Sequence, residues 1–426
     1  MTAPQNHPRD IQALLNQATW RYVPLLFLAY VVAIVDRANA GFAKLQMQQA
    51  LQFSDVVYGL GAGAFSVGYF LFEVPSNMLL ARVGARRWIA RILILWGPIA
   101  AATAWVRTPT QFYLLRFLLG VGEAGLFPGI VLLLTYWFPA ARRTRHFALV
   151  MLGMPVAGVL IGPLSAAIVL GCHGRAGLAG WQWLFILQGL PASLLGLAVL
   201  AWLDDRPANA RWLTVVERTL LQRELGASAA PLPPWRAELR QALVQPGLRP
   251  PTLTLACLVA SAGAFATWGP QLLADLLATG MRGVGAAYAS MFLLGTLSML
   301  AFGTLADHGR RDTILVALMG TSAAAFFAAA IGAGHGALTV VAVAVGVAGL
   351  LSSFPLFWGC VTPRLPPGAA AASIALVNSL GNLGGAAGPA LLGPIKQYGG
   401  PPATLAALGL YLALGAVCAR ALRRRP

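Results

Sequence analysis

Twelve runs of about 20 apolar residues, separated by short clusters of Arg, Gly and Pro, constrain this chain more than any single motif does. A helix needs roughly 20 apolar residues to cross the hydrocarbon core of a bilayer. Spans are expected at 21–43, 57–80, 89–106, 111–138, 147–170 and 181–203, then at 250–277, 286–306, 313–333, 337–360, 370–395 and 403–422. Strand-period alternation is absent, which excludes a membrane barrel. With 58% of the 426 residues apolar and only 10% charged, no water-soluble domain of useful size is expected. The first run, Tyr22 to Ile34, continues through Asp36 and Arg37 without a small-residue cleavage site, so it reads as a membrane helix and not as a signal peptide.

A net charge of +17 would suggest nucleic acid in a soluble protein, but here the basic residues sit in the gaps between spans. One set of loops holds Arg82, Arg86, Arg87, Arg142, Arg143, Arg145, Arg310, Arg311, Arg364 and the tail Arg423 to Arg425. The opposite set holds little beyond Lys44, Arg107, Arg175, Arg282 and Lys396. The positive-inside rule then puts both termini in the cytoplasm of a bacterial inner membrane. Almost all basic residues are Arg; Lys occurs only at 44 and 396, and the sequence assigns those two no role. Four scattered cysteines and five histidines form no metal-ligand or disulfide spacing, so no metal and no cofactor are expected.

Residues 204–249 are the one long polar interruption, with a short amphipathic stretch from Arg211 to Leu225. They read as a solvated cytoplasmic linker between two six-helix bundles, 1–203 and 250–426. The halves carry traces of duplication at one offset: the tract from Asn77 to Arg87 is echoed from Gly303 to Arg311, and Gly158-x-x-x-Gly162-Pro163 by Gly384-x-x-x-Gly388-Pro389. Small residues every fourth position let backbones approach closely, so these helices are expected along the seam between halves.

An ionised side chain at membrane depth costs at least roughly 2.5–3.5 kcal/mol and needs a partner, water or a purpose. Asp36, Arg37, Arg116 and Glu123 stand at such depth and sum to zero charge. Arg116 and Glu123 are two helical turns apart on one face, roughly 10 Å along the axis, so both can address one cavity. Adding a substrate carboxylate to one arginine would strip an acid of its partner and promote its protonation, coupling anion binding to proton uptake. Arg37 or Arg116 is then the bidentate clamp, and Asp36 and Glu123 are the proton carriers. At the repeat offset their equivalents are Ala262, Gly263, Ala342 and Gly349, so the second half is expected to supply shape recognition instead. Asn378, Trp358 and Ser353 are the candidates there, with Tyr69 from the first half; Glu73 beside Pro75 reads as an inter-helix cap or gate.

These features resemble the major facilitator superfamily over nearly the whole chain. Arg82, Gly84, Arg86 and Arg87 match that family's loop signature; Asn77 and Ala81 replace its Gly and Asp, while the second copy keeps Gly303 and Asp307 but is a residue short. Within the superfamily the chain resembles the anion:cation symporter family, which includes bacterial permeases for tartrate, phthalate, hexuronates and galactonate. The matching residues are Asp36-Arg37-Ala38-Asn39, Gly68-Tyr69-Phe70, Phe72-Glu73-Val74-Pro75-Ser76-Asn77, Arg116-Phe117, Gly122-Glu123-Ala124-Gly125, Thr135-Tyr136-Trp137-Phe138-Pro139, Asp205-Arg206-Pro207, Ala210-Arg211-Trp212-Leu213-Thr214 and Asn378-Ser379-Leu380-Gly381-Asn382. The resemblance implies an all-α fold of twelve transmembrane helices in two pseudo-symmetric bundles, usually monomeric. It also implies proton-coupled symport of a small organic anion by alternating access, with Arg82, Gly84, Arg86, Arg87 and Asp307 in the gating loops. Proton-driven efflux of an amphipathic compound is the alternative, since Gly158 to Pro163 resembles the antiporter signature, although Ala166 and Ala167 stand where that pattern has glycines. A non-coupled facilitator or sensor would not need the four charges, and no nucleophile, base and orienter converge to suggest an enzyme.

Overall fold

The computed structural model describes residues 10–225, 246–306, 311–332, 336–364 and 370–424. Its elements are helices: α1 (Ile11–Leu51), α2 (Asp55–Val83), α3 (Ala85–Ala102), α4 (Pro109–Glu123), α5 (Leu126–Trp137), α6 (Ala140–Met151), α7 (Gly153–Gly171), α8 (Gly180–Trp202), α9 (Val215–Leu225), α10 (Arg249–Leu277), α11 (Met281–Ala306), α12 (Arg311–Ile331), α13 (Gly336–Val361) and α14 (Ala370–Arg420). No strand occurs among the described residues.

Helix length and crossing number differ in instructive places. At 1.5 Å per residue, the 51 residues of α14 would run about 76 Å, far beyond a core of about 30 Å. The run turns at Gly400 (φ 65°, ψ −163°), just before Pro401 and Pro402, and so supplies the last two crossings. Conversely, the fourth crossing is α4 plus α5 and the fifth is α6 plus α7. The count is therefore twelve, in two bundles of six, α1–α8 and α10–α14.

The first crossing is longer than expected. α1 continues past residue 43 to Leu51, and its amino-terminal turns bury Leu14, Leu15, Ala18 and Tyr22. Those turns pack with the start of the linker: Trp212 Nε1 donates to Tyr22 Oη (2.9 Å), which donates to Asp204 Oδ2 (2.9 Å), and the Trp137 and Trp212 rings stack at 5.9 Å. Leu221 of α9 is fully buried, so this part of the linker is packed on the first bundle.

The bundles meet along α1 with α10, α2 with α14, and α7 with α11. Gly162 of α7 and Gly285 of α11 lie backbone to backbone, and a Cβ on either would run into the other's carbonyl oxygen. Gly158 takes the Phe292 ring, as a seam position should. Its repeat partners behave differently: Gly384 and Gly388 press on Ala256 and Ala260 of α10, inside the second bundle, and the seam side of α14 instead meets Gly59 and Gly63. These contacts concentrate toward the face away from the termini, where Gly41 meets Ala266 and Gly59 meets Pro389.

Candidate functional site: a charged cavity at the seam

Both bundles contribute walls to a cavity of about 380 Å³, within the range of small-molecule sites. Arg37, Arg116, Tyr69 and Glu73 reach it from the first bundle, and Asn378 and Asn382 from α14. Much of the remaining wall is aromatic, from Tyr30, Phe65, Phe127, Phe265, Tyr288 and Phe292. Phe265 and Tyr288 stack at 5.6 Å, Tyr288 and Phe292 at 4.9 Å, and Phe42 meets Tyr288 edge-on at 5.2 Å. Phe42 lies beyond Arg37 along α1, so this stack closes the cavity toward the face away from the termini.

The four charges are arranged in two layers. Arg37 and Arg116 line the cavity; Asp36 and Glu123, each wholly buried, lie behind them. Arg37 Nε donates to Glu123 Oε2 at 2.7 Å, and its guanidinium lies 5.0 Å from the Tyr69 ring centre. Asp36 makes no ion pair; Oδ1 accepts from Asn39 Nδ2 and Oδ2 from Trp96 Nε1, both at 2.8 Å. Arg116 lies 5.2 Å from the Phe65 ring centre, within electrostatic reach of both acids, yet its Nε and Nη1 have no hydrogen-bond partner. Glu123 Oε1 is likewise buried without one.

Local backbone geometry sets Glu123 apart. It is the last residue of α4, and the chain then breaks through Ala124 (ψ 126°) and Gly125 (φ 94°) before α5 begins. Such a break inside a bilayer frees carbonyls that need partners. Ser76 Oγ of α2 donates to Ala124 O at 2.6 Å and accepts from Trp88 Nε1 of α3 at 2.9 Å. A Cβ on Gly125 would strike the same hydroxyl, so the site admits little but glycine.

The other expected residues fall in several places. Tyr69 and Asn378 face the cavity, and Glu73, also on its wall, accepts from Ser379 Oγ across the seam at 3.5 Å. Ser353 and Trp358 do not line it. α13 presents Val347, Leu350 and Leu351 to the cavity; Ser353 is turned off that face and donates to Gly349 O of its own helix at 2.7 Å. Trp358 lies two turns past Leu351, about 10 Å nearer the terminus-bearing face, with its ring edge-on to Phe357. In the loop signature, Gly84 (φ 96°) joins α2 to α3, Arg86 N donates to Asp205 Oδ1 at 2.7 Å, and the Arg86 guanidinium donates to Leu200 O. Asp205, from the linker, thus supplies an acid beside the first loop, where Ala81 replaces the signature's own. Arg82 and Arg87 are exposed, and Asp307 lies outside the described residues.

Sequence reasoning missed Trp96 and Asn39 as partners of Asp36, and Ser76 as the brace of the helix break. Only the short match Pro75-Ser76-Asn77 pointed near any of them.

The family model described as Major Facilitator Superfamily matches residues 26–389. The chain belongs to that superfamily, and it is a transporter, not an enzyme. A putative tartrate transporter of Agrobacterium vitis is 42% identical over 394 residues, covering 92% of this chain and 87% of its own. A quinolone resistance transporter of Acinetobacter baumannii is 38% identical over 400 residues, covering 93% and 91%. Among solved structures, a bacterial homolog of the human lysosomal transporter Spinster, inward-facing and unoccupied, superposes with a TM-score of 0.76 at 15% identity over 96% of this chain and 97% of that one. The last likeness is one of fold.

Proposed function

We propose that this protein is a proton-coupled symporter that takes up a small organic carboxylate by alternating access, with both termini in the cytoplasm. The observation that supports this reading is the Arg37–Glu123 pair, in which the cation lines the cavity and the anion lies behind it. A carboxylate entering the cavity meets Arg116, whose free N–H groups offer a fork, and competes with Glu123 for Arg37. Once its cation is shared, Glu123 is a charge in a dry interior, and proton uptake neutralises it. Asp36 keeps both oxygens hydrogen-bonded and balances Arg116, so Glu123 is the principal proton carrier. With termini inside, the cavity is closed toward the periplasm and the structure represents an inward-facing state.

Likeness to the tartrate transporter supports a carboxylate cargo, and the aromatic wall is compatible with aromatic acids as well as hydroxy acids. In proteoliposomes loaded with a pH-sensitive dye, uptake of the favoured carboxylate from acidic external buffer should acidify the lumen. Uptake that leaves luminal pH unchanged would remove the coupling.

A second reading, proton-driven export of an amphipathic aromatic compound, draws on the likeness to the quinolone resistance transporter and on the same ring-lined wall. Vesicles of opposite orientation distinguish the two by the direction in which an imposed proton gradient moves the cargo.

A further inference from the structure

Every basic residue in this chain is an arginine except Lys44 and Lys396, and the structure brings those two together. Lys44, two turns beyond Arg37 on α1, is 1% exposed. Its Nζ donates to Asp55 Oδ1 of α2 at 2.6 Å and to Gln271 Oε1 of α10, and lies 3.8 Å from the centre of the Trp268 ring. Gln271 Nε2 donates to Gln48 Oε1 at 3.4 Å, and Gln48 Nε2 to Asp55 Oδ1 at 3.2 Å. Lys396 of α14, also buried, pairs with Asp275 of α10 at 2.8 Å, close enough that Lys44 feels both of those charges. The cluster straddles the seam beyond the Phe42–Tyr288 contact, on the face away from the termini.

Its contacts divide cleanly. Each lysine keeps its carboxylate within its own bundle: Lys44 with Asp55 in the first, Lys396 with Asp275 in the second. What crosses the seam is neutral: the Gln271 carbonyl, the Trp268 ring and the Gln48–Gln271 bond. If the bundles part on this face, no buried charge is left without its counter-ion, which would otherwise oppose opening strongly. Lysine suits such a contact because its ammonium is a compact point charge on a flexible stem, whereas a guanidinium fork would grip both partners at once.

We propose that Lys44, with Gln271 and Trp268 as its partners across the seam and Lys396 neutralising Asp275 beside them, is a releasable latch that holds this face of the transporter shut. The latch does not depend on the proton-coupled reading above.

The test uses full-length protein in lipid nanodiscs, with the four native cysteines replaced and spin labels at Arg175→Cys and Gly280→Cys, exposed positions on this face from opposite bundles. Gln271→Leu leaves the Lys44–Asp55 pair intact and should raise the open (long-distance) population relative to the closed one about tenfold, the scale expected for losing a charge-assisted hydrogen bond. Lys44→Met should shift it in the same direction, and Lys44→Arg should deplete the open population and slow transport. Unchanged distances in folded Gln271→Leu and Lys44→Met protein would overturn the latch, as would a Lys44→Arg variant that opens and transports like the parent.

Discussion

Arg37 and Glu123 form a 2.7 Å ion pair that ties the middle of α1 to the end of α4, with the cation facing the cavity and the acid sealed from it. Removing one member strands the other, and breaking such a buried pair costs about 3–5 kcal/mol. Arg37→Ala should therefore abolish transport and lower the melting temperature. The double variant Arg37→Ala/Glu123→Ala should regain much of the stability but none of the transport. Thermal unfolding beside uptake measures both; equal destabilisation in single and double variants would contradict the pairing.

Arg116 has a different task, because its Nε and Nη1 are unpartnered on the cavity wall. Arg116→Lys keeps the charge beside Asp36 and loses the fork. Affinity for a carboxylate, read by ligand-induced thermal shift, should fall about tenfold or more, on the scale of one charge-assisted hydrogen bond, while the protein remains folded. Unaltered affinity would exclude Arg116 from the clamp.

The break after Glu123 is held by Ser76 and requires a left-handed residue at 125. Gly125→Ala should destabilise the protein by about 1–3 kcal/mol through backbone strain and the clash with Ser76. Ser76→Ala, which leaves the backbone free to keep its shape, should have the smaller effect on stability and should weaken proton-driven uptake by loosening Glu123. Melting curves and uptake on the two variants separate these effects.

Trp358 lies toward the terminus-bearing end of α13, away from the cavity wall, so Trp358→Phe should leave carboxylate affinity within about twofold of the parent. A larger loss would mean that the wall extends further along α13 in another state of the cycle.

The membrane architecture was legible because hydrocarbon tolerates few alternatives: long apolar runs, arginines in one set of loops and four charges at depth each have few physical explanations. The same logic found Arg37, Arg116 and Glu123, which share one site. What it could not find depends on partners distant in the chain. The span predicted to end at residue 43 continues to Leu51 because Asp55, Gln271 and Trp268 shelter Lys44, and no local pattern reports them. Trp96 reads as one more apolar residue of α3 until Asp36 is seen to accept its N–H. Gly384 and Gly388 carry the close-approach pattern correctly, but a spacing of four does not say which neighbour approaches, and here it is α10 of the same bundle.

The most direct test of the coupling account is Glu123→Gln in proteoliposomes, using whichever of tartrate, phthalate and the sugar acids gives the largest thermal shift. Accumulation against a gradient, driven by external acid, should be lost, while exchange of labelled for unlabelled carboxylate persists because Arg37 and Arg116 still bind it. A variant that concentrates the carboxylate as well as the parent would contradict the account.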